Sequence, residues 1–248
     1  LADRAVEAIL FDLGQTLLEF GRLRTGYLFA VSARNSYAWL KENNQPLPPF
    51  WRYRLKHFVG LYVHLVRSWI TGDDFDSLEL LKAYGRRYRF TLNDRQYQEL
   101  NWIWYEPLSR EAAIEPDLHR TLDSLRAMGL KMGILSNTFV NKDSLQRHLA
   151  KLGIDHYFPV QLYTCDYPFR KPDPRIFHVA AEKIGVLPAK TLFIGDRLDT
   201  DVKGATAAGM IPVFKRIPAN LHKKIPAGLL EIRKLSELPG LVEKLCKA

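Results

Sequence analysis

Short apolar runs that each end near a polar cluster, alternating with helical patterns of ten or so residues, constrain this chain more than any other feature. Residues 5–11 (AVEAILF) run into Asp12 and Gly14, and residues 130–135 (LKMGIL) run into Ser136-Asn137-Thr138. Residues 160–164 (VQLYT), 191–194 (TLFI) and 211–214 (IPVF) repeat the pattern, and residue 194 is followed by Gly195-Asp196. Each run has the length of a buried strand bounded by turn residues. Amphipathic patterns lie between them at residues 118–128, with apolar residues at 118, 122 and 125, and at 142–151, 175–184 and 201–208. Strands alternating with helices bury a parallel sheet on both faces, so the expected class is α/β.

Residues 19–112 break the alternation. They are rich in aromatic residues and long helical patterns, interrupted by Pro46, Pro48 and Pro49. The expected organisation is a Rossmann-like parallel-sheet core from residues 1–18 and 113–248, with helices on both faces and a helical module of residues 19–112 inserted after the first strand. The aromatic residues of such a module are expected to pack its own core.

Composition matters here for what it excludes. The longest uncharged apolar stretch near the middle, residues 58–66, is nine residues and contains His64. A spanning helix needs about 20, so no membrane partner is expected. No charged-then-apolar leader opens the chain. Cys165 and Cys246 are the only cysteines, too few for a disulfide framework or a cysteine zinc site, and the expected location is cytoplasmic. The formal net charge is +9, and residues 215–234 carry six basic residues against Glu231 alone. That excess fits either a solvated basic surface or an anionic partner. The absence of helix-turn-helix, zinc-finger or RNA-recognition spacing argues against nucleic acid.

Ligands of an open parallel sheet bind beyond the carboxyl ends of its strands. Four polar clusters fall at or near those ends: residues 12–16 (DLGQT), 136–138 (SNT), 170–174 (RKPDP) and 195–201 (GDRLDTD). Together they hold carboxylates, hydroxyls, an amide and an ammonium, the parts that phosphoryl transfer needs. The reaction takes an in-line oxygen nucleophile, a divalent cation and donors on the equatorial oxygens. Asp12 can supply the nucleophile through a covalent aspartyl-phosphate. Asp12, Asp196 and Asp201 make a hard oxygen site suited to Mg2+. Thr16, Ser136 and Asn137 are short donors suited to phosphate oxygens, and Lys171 is a cation able to hold both the Asp12 carboxylate and the phosphoryl group.

These segments resemble the motifs of the haloacid dehalogenase (HAD) superfamily, in the subfamily with a helical cap inserted after the first core strand. FDLGQTL resembles the nucleophile motif DxDx[TV], ILSNT the second motif, RKPDPRIF the third and FIGDRLDTDVKGATAAGM the fourth. The resemblance implies catalytic roles for Asp12 and Lys171, and phosphate contacts from Ser136 and Asn137. It also implies a Mg2+ site from Asp12, the Gly14 carbonyl, Asp196 and Asp201. Asp199 reads as a surface or supporting residue. The substrate implied is a small phosphorylated metabolite, hydrolysed by a monomer or homodimer.

One position departs from the pattern. Gly14 stands where the family's phosphatases carry a second aspartate. Its carbonyl can still reach a metal, but no carboxyl is present to protonate the leaving group. Losing a positioned acid/base lowers the rate roughly 10²–10⁴-fold. Slow turnover is therefore expected, and a non-catalytic binding or interaction protein of the same fold stays open as an alternative. A 2-haloacid dehalogenase is a more distant one, because that branch loses the metal carboxylates that Asp196 and Asp201 retain here. Arg22, Arg24, Arg86, Arg87 and Arg89 are candidates for gripping an anionic substrate, each also readable as a solvated helix charge. His57 and His64 lack ligand spacing, and Cys165 reads as a small buried apolar residue.

Overall fold

The computed structural model describes residues 5–247, so the ends of the expected core segments, residues 1–4 and 248, lie outside the described residues. The first half runs β1 (Ala8–Phe11), β2 (Glu19–Phe20), α1 (Thr25–Glu42), α2 (Phe50–Thr71), α3 (Ser77–Tyr88), α4 (Asp94–Ser109) and β3 (Ala112–Ala113). It continues through α5 (Leu118–Ala127), β4 (Lys131–Ser136), α6 (Lys142–Lys151), β5 (Val160–Tyr163) and α7 (Pro174–Ile184). The chain closes with β6 (Thr191–Gly195), α8 (Lys203–Ala207), β7 (Ile211–Lys215), β8 (Leu230–Ile232) and α9 (Leu238–Lys247).

Six strands form one sheet in the order β5-β4-β1-β6-β7-β8, and every pairing in it is parallel. The alternation of side chains in β1 explains how both faces are covered. Ile9 and Phe11 join Leu122 and Leu125 of α5, Leu149 of α6 and Leu238 of α9 on one face. Ala8 and Leu10 join Ile176, Phe177 and Ala180 of α7 on the other. Because the central strands β1 and β6 are buried on both faces, their runs read as continuous apolar sequence rather than as alternation.

Helices α1–α4 form a separate block whose interior is Leu40, Tyr53, Leu78, Leu81, Tyr97 and Leu100. Its helices start and stop where local chemistry demands. Asp76 caps α3 by accepting from Leu78 N–H, Asn93 and Gln96 form a reciprocal capping box on α4, and Gly72 ends α2 at a φ of 78°. The short antiparallel pair β2–β3 joins the two strands of chain that lead into and out of this block.

The structure departs from the sequence pattern in several places, and a sixth strand, β8, extends the sheet beyond the five expected runs. The helical pattern expected over residues 201–208 begins instead as a single π-helical turn, Leu198–Val202, before the short α8. Within this turn Asp201 accepts from the Arg197 N–H at 3.0 Å; widened turns of this kind recur at functional sites. The basic segment 215–234 is also not uniformly a solvated surface. Lys215 is buried, donating to the Thr16 carbonyl at 2.8 Å and pairing with Glu115 at 2.7 Å and Glu19 at 3.0 Å.

Candidate active site

Strand register assembles the site. Phe11 lies beside Ile134 of β4 and Ile194 of β6, so Asp12, Ser136 and Asp196 leave three adjacent parallel strands at the same edge. Lys171 enters from the loop before α7. Its Nζ lies 2.6 Å from Asp12 Oδ1 and 2.7 Å from Asp201 Oδ1. All four ionic groups are nearly sealed from solvent: Asp12 is 8% exposed, Lys171 3%, Asp196 9% and Asp201 1%. Carboxylate oxygens of Asp12, Asp196 and Asp201 lie within 4.8 Å of one another.

Three carboxylates around one ammonium leave a buried excess of negative charge, and the titration of these groups reflects it. Burial pushes the Asp12 carboxyl up to about 7, with Lys171 pulling it back and Asp201 and Asp196 raising it. Burial and the neighbouring Asp201 push Asp196 up to about 6. Burial opposes charge on Lys171, yet Asp12 and Asp201 hold its ammonium above the ordinary value. The donor set is all hard oxygen and its charge is unbalanced in the sense a divalent cation corrects. The residues present therefore fit Mg2+.

Each element of the site has its own support. Both arms of the Asn137 carboxamide bracket the Lys171 main chain: Oδ1 accepts from its N–H at 2.9 Å and Nδ2 donates to its carbonyl at 2.8 Å. Asn137 thus has its side chain committed to placing Lys171. The Ser136 hydroxyl makes no hydrogen bond to the described residues and is 5% exposed. The Thr16 hydroxyl is fully buried with no partner among the described residues. Asn220 ties the Asp196 carbonyl to the Lys215 carbonyl through Nδ2, at 2.9 and 3.0 Å. Gly195 is required by crowding, because a Cβ there would run into the Asp201 side chain. Gly14 is not: a Cβ at that position meets nothing within 4 Å.

A second polar network joins the helical block to the site and was not foreseen from sequence. Arg170, the neighbour of Lys171, donates to Asp74 Oδ1 at 2.8 Å and to Ser68 Oγ at 3.0 Å. Thr164 donates to the other Asp74 oxygen and accepts from Thr138 N–H at 3.0 Å. The Asn141 N–H donates to Ser77 Oγ at 3.0 Å and its Nδ2 to Asp76 at 2.7 Å. Arg170 stood in a recognised cluster, but Asp74 lies in a stretch whose sequence carries no motif.

The remaining candidates lie elsewhere. Arg22, Arg24, Arg86, Arg87 and Arg89 are all exposed, and Arg24 sits over the Tyr27 ring at 5.4 Å. Asp199 is paired with Arg197 at 2.6 Å on the surface. His57 is stacked within the aromatic interior of the helical block, 5.3 Å from Trp104, and His64 lies 5.0 Å from Phe75. Cys165 is partly buried, its thiol pushed up to about 12 by burial and by Asp166.

A doubly covered parallel sheet with an aspartate at the end of its first sheet strand, opposed by a buried lysine and two further aspartates, joins the four motif segments of a hydrolase in one cluster whose oxygen donors could hold a metal ion. The haloacid dehalogenase-like hydrolase family model matches residues 6–209. The chain belongs to this family, as its motifs had implied.

Among curated relatives, the glyceraldehyde 3-phosphate phosphatase of Methanopyrus kandleri is 40% identical over 98 residues, which are 40% of this chain and 41% of that protein. The chain thus matches well under half the length of that relative. The enzyme of the same name from Pyrococcus furiosus is 24% identical across 98% of this chain and 94% of that one. Among solved structures, a HAD phosphatase from Thermococcus onnurineus superposes with a TM-score of 0.60 at 26% identity, covering 96% of this chain and 98% of that chain.

Proposed function

We propose that this chain is a Mg2+-dependent phosphatase acting on a small phosphorylated metabolite, with residues 19–112 serving as a cap over the site. The observation that carries the reading is the buried cluster in which Lys171 pairs with Asp12 and Asp201 while Asp196 adds a third carboxylate to the group. Nothing in folding calls for that excess of buried negative charge. The phosphatase names of the relatives favour a phosphoryl substrate.

Asp12 and Asp196, with Asp201 and the Gly14 carbonyl, are the residues that would hold Mg2+. When bound, the ion offsets the charge between the carboxylates and a phosphoryl group. Asp12 attacks phosphorus, the ester bond to the leaving oxygen breaks, and an acyl phosphate forms on its carboxylate. Water then attacks phosphorus, the bond to Asp12 breaks, and inorganic phosphate leaves with Asp12 regenerated. Lys171 orients Asp12 and draws charge from the phosphoryl oxygens, while Ser136 offers its unpaired hydroxyl to one of them. Without a carboxyl at Gly14, the leaving oxygen takes its proton from solvent. Substrates whose leaving groups need no acid, such as aryl phosphates, are therefore turned over fastest.

A panel of phosphorylated metabolites plus an aryl phosphate, assayed for phosphate release with and without Mg2+, tests this reading. Release that requires Mg2+ and disappears in Asp12→Asn supports it. Release that is unchanged in Asp12→Asn overturns it.

A further inference from the structure

The most anomalous surface of the molecule lies outside the site, on α2. This 22-residue helix buries only Tyr53, His57 and Ser68. Its outward side carries Trp51, Leu55, Phe58, Tyr62, Val66 and Trp69, all exposed, with Trp51 at 68% and Trp69 at 81%. The residues recur at helical spacing and so form one stripe, about 27 Å long at 1.5 Å per residue. Water-soluble monomers rarely leave an apolar patch of this extent uncovered.

Charge indicates what covers it. Arg52, Arg54, Lys56 and Arg67 lie on α2, and the helix holds no aspartate or glutamate. At about 100° per residue, Arg54 falls just beyond one edge of the stripe and Arg52 just beyond the other, while Lys56 and Arg67 lie further round the helix. The side chains that face the body of the protein lie opposite. Cations thus flank an apolar face that points away from the fold.

We propose that α2 is an in-plane membrane anchor that lays this stripe on the surface of a bilayer containing anionic lipid. Aromatic rings enter the headgroup boundary while the flanking Arg and Lys stems reach lipid phosphates. A second copy of the chain is a poorer occupant. A two-fold contact through α2 would set one acid-free, cation-edged surface against itself, on a chain already carrying a net charge of +9. No helix among the described residues is long and apolar enough to cross a membrane. A helix that lies on a bilayer needs no spanning length, because it rests in the interface plane.

The test is co-sedimentation of the full chain with vesicles of pure phosphatidylcholine and of phosphatidylcholine mixed with phosphatidylserine. The expected result is at least about tenfold stronger partitioning onto the anionic vesicles at low salt, weakening as salt rises. The double variant Tyr62→Glu/Trp69→Glu, changed only at exposed positions, is expected to lose that partitioning while keeping its circular dichroism spectrum. Equal or absent binding to both vesicle types overturns the proposal. So does light scattering at twice the single-chain mass that falls to the single-chain mass in the double variant, which would assign the stripe to a second copy.

Discussion

Asn137 holds Lys171 by both of its main-chain polar groups, accepting from the lysine N–H at 2.9 Å and donating to its carbonyl at 2.8 Å. The ammonium that reaches Asp12 at 2.6 Å is thereby fixed from the neighbouring strand end. Asn137→Ala removes both bonds without touching the charges of the site. A misplacement of about 1 Å costs up to about 10²-fold in rate. The expected outcome is a kcat lowered roughly tenfold to a hundredfold with KM little changed, measured by steady-state phosphate release. A raised KM with unchanged kcat would assign Asn137 to substrate binding instead.

Gly14→Asp adds the carboxyl that the site lacks. The space is open, since a Cβ there meets nothing within 4 Å. A placed acid raises rates by roughly 10²–10⁴-fold where proton transfer limits. The gain is expected on alkyl phosphates and should be small on aryl phosphates, which leave without an acid. Equal gains on both classes would contradict the role given to this position.

The Asp74–Arg170 pair joins the helical block to the residue beside Lys171. Asp74 is the more deeply buried partner, its side chain 7% exposed against 25% for Arg170. A double-mutant cycle of Asp74→Ala and Arg170→Ala, read by denaturant unfolding, is expected to give a coupling of about 1 kcal/mol or more. Additive effects would mean that the pair does not hold the two parts together.

Two buried imidazoles make stability sensitive to acid. Burial lowers His57 to about 4, and burial with the nearby Lys151 lowers His148 to about 4. The unfolded chain binds these protons near pH 6.5. Their contribution to stability is complete above that pH and is lost as pH falls through about 4. Asp12 and Asp196, whose carboxyls burial pushes up to about 7 and about 6, act in the opposite sense over the same interval, so the imidazoles are read from the difference between wild type and variant. The double variant His57→Gln/His148→Gln should lose less of its unfolding midpoint between about pH 6.5 and about 4 than the wild type does, and an unchanged pH dependence would contradict the assignment.

Much of this molecule was legible in its sequence because the core repeats one local rule. Apolar runs such as residues 191–194 can only be buried strands, and the register of a parallel sheet then brings their carboxyl ends together. That is how Asp12, Lys171, Asp196 and Asp201, scattered along the chain, group together in the sequence pattern alone. What escaped was set by side chains acting at a distance. The bracket of Asn137 on Lys171 and the reach of Arg170 to Asp74 depend on loop paths that no periodicity encodes. Thr16 reads as an available donor in sequence, whereas the packing around it seals its hydroxyl from solvent. Lys215 reads as one more surface cation, but its neighbours Glu19 and Glu115 come from segments far away in the chain. The exposure of Trp51 and Trp69 was hidden for the same reason, since an aromatic-rich helix by itself suggests burial.

The direct test of the nucleophile is acid quenching of the protein during turnover of an aryl phosphate with Mg2+, followed by mass spectrometry of its peptides. The account predicts one added phosphoryl group on the peptide that carries Asp12, labile at high pH and absent from Asp12→Asn. A phosphoryl group trapped on another residue, or steady turnover in the Asp12→Asn variant, would contradict it.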